Sequence, residues 1–126
     1  MYSGGALGTS PYAVQTLVEQ YDGTSWTALP ASLNTGQAAY TSTNVGTSSK
    51  NTTIVAGGTA GHPASVTGVT QIYDGSTWRT APSMATARQT NLVGDSSAAL
   101  AVAGGANITT VEEFAASKAV KVITDS

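Results

Sequence analysis

The hexapeptide Tyr21-Asp22-Gly23-Thr24-Ser25-Trp26 returns as Tyr73-Asp74-Gly75-Ser76-Thr77-Trp78, a spacing of 73 − 21 = 52 residues. A near-copy at that interval points to a fold built by repeating one unit, each unit burying its apolar face against the next. Paired glycines recur as well. They stand at Gly4-Gly5, at Gly57-Gly58 after Thr53-Ile54-Val55-Ala56, and at Gly104-Gly105 after Ala99-Leu100-Ala101-Val102-Ala103. Their spacings, 57 − 4 = 53 and 104 − 57 = 47, differ through the lengths of the intervening loops. After each Trp comes a proline and then Leu or Met, Pro30 with Leu33 and Pro82 with Met84. A third copy is degenerate: Val111-Glu112-Glu113-Phe114 aligns with Val18-Glu19-Gln20-Tyr21, but Ala115-Ala116-Ser117 replaces the Asp-Gly turn and no Trp follows.

Each recurring residue has a mechanical reason. Val18 and Gln20, like Thr70 and Ile72, alternate with their neighbours at the period of a strand with two unlike faces. Asp-Gly then predicts a tight hairpin, since a primed turn needs the positive φ that Gly tolerates. Trp26 and Trp78 begin the return strands and are expected to lay their apolar area against a neighbouring unit. The Gly-Gly pairs end inner strands where crowded backbones leave no room for a Cβ.

Composition agrees with an all-β chain. Charged residues are 10% of the 126 and hydrophobic residues 40%, against an ordinary charged share of about a quarter. Thr and Val suit pleated strands, and Ser, Gly and Asn suit the turns between them. Pro, Gly and β-branched residues interrupt every candidate helix. Strands are expected at Met1 to Ser3, Val14 to Tyr21, Trp26 to Leu29, Gln37 to Thr43, Thr52 to Ala56, Val66 to Tyr73, Trp78 to Ala81, Thr90 to Gly94, Ala98 to Ala103, Thr109 to Phe114 and Ala119 to Thr124. The period predicts a partial β-propeller of two to three four-stranded antiparallel blades in one domain, 1–126. Its units are an incomplete blade 1–36, a blade 37–87 and a degenerate blade 88–126.

The apolar run, Gly-Gly, a loop, Tyr-Asp, Trp, then Pro, Met and Arg88 resembles the kelch repeat, most fully from Gln37 to Arg88. The wording Val-Glu-Gln-Tyr-Asp-Gly-Thr-Ser-Trp also resembles kelch-like arrays in virion proteins of tailed phages. Gln37 stands where Arg88 stands 88 − 37 = 51 residues later, a departure from the pattern. The resemblance implies a kelch-type propeller acting as a binding platform. Its structural motif residues are Gly4, Gly5, Tyr21, Asp22, Gly23, Trp26, Gly57, Gly58, Tyr73, Asp74, Gly75, Trp78, Arg88, Gly104 and Gly105.

Catalytic, metal and cofactor sites are not expected. The chain has no Cys, one His and two arginines, Arg79 and Arg88, too few parts for a copper oxidase or for the arginine cluster of a sialidase-type propeller. His62, in Gly61-His62-Pro63, reads as a loop residue with no neighbouring carboxylate to orient it as a general base. Asp22 and Asp74 read as turn residues, because a hard-cation site needs several converging oxygens. Glu112 and Glu113 are adjacent on a strand and point to opposite faces. Five scattered Lys and Arg and a net charge of −2 give no basic patch for nucleic acid. No long apolar segment or basic leader indicates a membrane span or signal peptide.

The expected role is a non-enzymatic structural and interaction protein of a phage virion, on the capsid or the tail. Its partners would be copies of itself or other virion proteins, met through Met1 to Ser3 and the tail from Ala119. The rival is a carbohydrate-binding module using Tyr2, Tyr12 and Tyr40, with His62 as a further candidate contact. A glycosidase-like propeller ranks third.

Overall fold

The computed structural model describes residues 2–9, 11, 13–38, 53–61, 65–89, 91–94, 97–104 and 108–115. Their regular structure is entirely β, with no helix, and every strand pair is antiparallel. The strands are β1 Tyr2–Ser3, β2 Ala6–Leu7, β3 Ala13–Val14, β4 Val18–Tyr21, β5 Trp26–Ala28, β6 Ile54–Ala56, β7 Thr70–Tyr73, β8 Trp78–Ala81, β9 Asn91–Gly94, β10 Ala98–Gly104 and β11 Ile108–Ala115. They form three sheets of three strands, ordered β1-β4-β5, β6-β7-β8 and β11-β10-β9, and a two-stranded β2-β3 ribbon.

The sequence repeat is a repeat of backbone hydrogen bonds. Gly4 N–H donates to Leu17 C=O at 2.8 Å and Gly57 N–H to Val69 C=O at 3.0 Å; Gly5 N–H donates to Gln37 C=O at 2.8 Å and Gly58 N–H to Arg88 C=O at 2.9 Å. Gln37 and Arg88 therefore hold one structural position, as their spacing implies. Both glycine pairs have positive φ. A Cβ on Gly4 would collide with the Gln37 carbonyl oxygen, one on Gly57 with that of Arg88, and one on Gly104 with that of Gln89, which is the crowding expected of these glycines.

The strands expected at Val14 to Tyr21 and Val66 to Tyr73 are interrupted. Gln15 N–H turns to Gly5 C=O and Thr67 N–H to Gly58 C=O, at 2.8 and 3.0 Å, so β4 and β7 begin only at Val18 and Thr70. Upstream, β3 pairs with β2, and Val66 makes a single bridge to Thr59. Gln37 is not in a strand, and Ala38 only bridges Thr59. The rest of the expected Gln37 to Thr43 strand and the whole Ala119 to Thr124 strand lie outside the described residues. The first sheet shows the three strands expected of an incomplete blade, the second and third show three of the four expected, and none of the described sheets closes on itself. β1, expected to meet a partner, is hydrogen-bonded to β4 of its own sheet.

The core lies between the sheets. Val18 and Leu33 pack with Val55, Tyr73 and Trp78 across the first junction. Ile54, Ile72 and Ala81 pack with Ala99 and Phe114 across the second. Successive side chains of a strand point to opposite faces, so β6 serves one junction with Val55 and the other with Ile54. All four residues of β7 are buried, as befits a central sheet covered on both faces. Fully buried side chains such as Val18 and Ile54 each contribute about 1.5–3 kcal/mol.

Candidate interaction surface

The site begins with the Tyr-Asp-Gly turn. In the first sheet Asp22 Oδ1 accepts the N–H groups of Thr24 and Ser25 at 2.8 and 2.9 Å. In the second, Asp74 Oδ1 accepts those of Ser76 and Thr77, both at 2.9 Å. The turn is therefore a four-residue loop between paired Tyr21↔Trp26 and Tyr73↔Trp78, wider than the two-residue primed turn expected, because the aspartate ties down the amides two and three residues on. Gly23 and Gly75 do have positive φ, 106° and 101°. The Ser25 and Thr24 amides lower the Asp22 pKa from its ordinary 3.8, and the Thr77 and Ser76 amides lower that of Asp74. Each Tyr hydroxyl donates to the glycine carbonyl two residues on, at 3.0 Å. Each Tyr ring lies against its Trp, with centroids 5.3 Å apart in the first sheet and 5.2 Å in the second.

Two locally matching structures meet different surroundings. Tyr73 and Trp78 are 7% and 6% exposed, because the first sheet covers them; Tyr21 and Trp26 are 48% and 56% exposed. Trp78 thus packs on a neighbouring unit as expected, whereas Trp26 does not.

A polar clasp accompanies the covered pair. Glu19, Gln71 and Glu112 are equivalent, standing opposite Tyr2, Val55 and Ala101 across their ladders. At the first junction Gln71 grips the turn that ends the preceding repeat. Its Oε1 accepts Thr35 N–H at 3.1 Å, and its Nε2 donates to Thr35 C=O at 2.9 Å and to Gln37 Oε1. Buried Gln37 in turn donates to Gly57 C=O at 2.6 Å and Val69 C=O at 3.1 Å. At the second junction Glu112 accepts Ala85 N–H at 2.7 Å and Thr86 N–H at 3.1 Å and lies 3.3 Å from the Arg88 guanidinium. Arg88, fully buried, also donates to Thr110 Oγ1 at 2.7 Å and Ala101 C=O at 3.3 Å. Glu19 is half-buried and has no side-chain partner among the described residues.

The structure brings Tyr21 and Trp26 together and places Glu19 on the same face, since residues two apart on a strand share a face. Of the weaker candidates, Tyr2 lies on β1 with its side chain outside the described residues, as are Tyr12, Tyr40 and His62; Gly105 is outside them too. Sequence reasoning missed the clasp, although its signal was present: an acid or amide two residues before each Tyr or Phe. A cleft of about 160 Å³ between the second and third sheets is lined by Ile54, Met84, Leu92 and Phe114, and its acid, Glu112, is already engaged. Among the described residues no three His, Cys, Asp or Glu side chains cluster as a metal site, and no helix is long and apolar enough to cross a membrane. No family model matches the chain, and no curated protein matches it significantly.

Proposed function

We propose that this chain is a non-enzymatic structural and interaction protein whose sheets are successive blades of a partial kelch-type β-propeller. It works as a component of a tailed-phage particle, on the capsid surface or with the tail and its fibres, where it packs against neighbouring virion proteins or copies of itself. The observation that carries the interaction reading is the Tyr21–Trp26 pair, shaped like the covered Tyr73–Trp78 pair yet exposed. An open aromatic face of this kind marks a contact surface. The resemblance of the repeat wording to kelch-like phage arrays supports the virion setting.

Mass spectrometry of purified particles encoded by the same genome tests this. The chain should be present in stoichiometric amount and survive a salt wash; its absence from the particle would end the virion reading. The same exposed Tyr and Trp favour carbohydrate as the second reading, because aromatic faces also receive apolar sugar faces. A glycan array read against Trp26→Ala decides it. Sugar binding that depends on Trp26 would move the chain to host attachment.

A further inference from the structure

The two junctions solve one packing problem with different chemistry. At the first, both partners are neutral amides, Gln71 donating to Gln37. At the second, both are charged, Arg88 with Glu112. The pairs are not interchangeable. An amide supplies a donor and an acceptor together, whereas a carboxylate only accepts and an arginine only donates. A carboxylate at position 71 would face the acceptor oxygens of Thr35 and Gln37, and an amide at position 112 would strand the buried Arg88 charge.

Glu19 occupies the same ladder position on the open face, and it is the acid, not the amide. We propose that this face docks a further repeat whose turn carries arginine at the position of Arg88. Glu19 accepts that guanidinium and the two backbone N–H groups ahead of it, as Glu112 does from Arg88, Ala85 and Thr86. Tyr21 and Trp26 receive the apolar side chains of that repeat, as Tyr73 and Trp78 receive Val18 and Leu33. The inference rests on the interaction reading above and names the partner's chemistry. A second copy of these residues does not supply it: Arg88 is taken by Glu112, Arg79 lies on β8, and residues 116–126 hold Lys118 and Lys121 but no arginine. The occupant is therefore a repeat of the same kind from outside these 126 residues, with its arginine free.

The probe is the chain's own repeat. A duplicate of residues 53–100 placed ahead of Tyr2 adds one unit and its arginine turn in register, because Ala101 and Tyr2 are equivalent. The thermal midpoint is measured for the extended chain with Arg or Gln at the added turn and Glu or Gln at position 19, and the difference in acrylamide quenching between each form and its Trp26→Phe counterpart, which cancels the signals of Trp78 and of the added repeat's own Trp, reports the burial of Trp26. Matched pairs, Arg with Glu19 and Gln with Glu19→Gln, should exceed mixed pairs by about 5 °C or more. Trp26 should lose its accessibility in the matched forms. If Trp26 is shielded and all four combinations melt together, the arginine preference falls while the interaction surface stands. If Trp26 stays accessible in every form, the interaction reading falls with it. An unextended chain that is oligomeric by light scattering with Trp26 shielded would overturn the proposal by placing a second copy on this face.

Discussion

Tyr21–Trp26 and Tyr73–Trp78 are one structure in two environments. The ring spacings, the Tyr hydroxyl bonds and the aspartate-capped loops agree to within about a tenth of an ångström. Local sequence therefore suffices to build the motif, because the Asp side chain, the positive-φ glycine and the ring pair all act within six residues. What local sequence does not decide is burial. The second pair is covered because the first sheet supplies Val18 and the segment after β5 supplies Leu33, and the first pair has no such neighbour among the described residues. The difference separates what makes the turn from what makes the junction.

The largest effect should be common to both regions. Gly57→Val and Gly4→Val each drive a Cβ into a carbonyl oxygen at positive φ, with strain of about 1–3 kcal/mol from φ alone before the collision is counted. Both should lose cooperative unfolding by circular dichroism. Gly8→Ala, with comparable φ but open space around it, should cost about 1 kcal/mol. Equal losses at Gly8 and Gly57 would deny the close backbone approach.

The next effect should divide the regions. Trp78→Ala removes a buried ring and should cost about 3–5 kcal/mol in urea unfolding. Trp26→Ala removes an exposed one and should stay within about 1 kcal/mol of the parent. The clasp residues give a graded series. Glu112→Ala leaves Arg88 buried without its carboxylate, about 3–5 kcal/mol; Gln71→Ala leaves neutral groups unpaired, about 1–3 kcal/mol; Glu19→Ala should change stability by less than about 0.5 kcal/mol. A cost at Glu19 equal to that at Glu112 would show that its face is already engaged.

Much of this was legible in advance because it is local or periodic. The all-β class, the return strands at Trp26 and Trp78, the crowding at Gly4 and Gly57, and the equivalence of Gln37 with Arg88 follow from residues at fixed spacing. The breaks before Val18 and Thr70 did not, since residues 15–17 and 67–69 have strand-like composition and only the hydrogen bonds drawn away by the glycine pairs interrupt them. The exposure of Trp26 was also hidden, because it depends on a neighbour that the motif does not encode. The clasp is only half legible for a related reason: the acid or amide two residues before each Tyr or Phe marks one side of it, but Gln71 and Glu112 meet partners 36 and 26 residues away, and no short motif names those.

The smallest effect is one of pH. The folded-state pKa values of Asp22 and Asp74 lie below the ordinary 3.8, so ionised aspartate favours the folded turn. That stabilisation is complete above the ordinary value and is lost as pH falls below 3.8 toward the folded values. Both sites are exposed, so the effect is modest. Asp22→Asn and Asp74→Asn should each flatten the acid limb of the stability profile, Asp74→Asn the more, because Asp74 also accepts the Ser76 hydroxyl at 2.9 Å. An acid limb altered by one substitution alone would break the local equivalence.

On the docking proposal above, the Tyr21–Trp26 face is a junction of the same kind as the Tyr73–Trp78 face, lacking only its neighbour. The most direct measurement is the stability cost of Trp26→Ala in the chain alone and in the chain extended by a duplicate of residues 53–100 ahead of Tyr2. The cost should lie within about 1 kcal/mol in the chain alone and rise to the roughly 3–5 kcal/mol expected for Trp78→Ala once the added repeat covers the ring. A Trp26→Ala cost that stays small in the extended chain, while Trp78→Ala remains severe, would contradict the proposal.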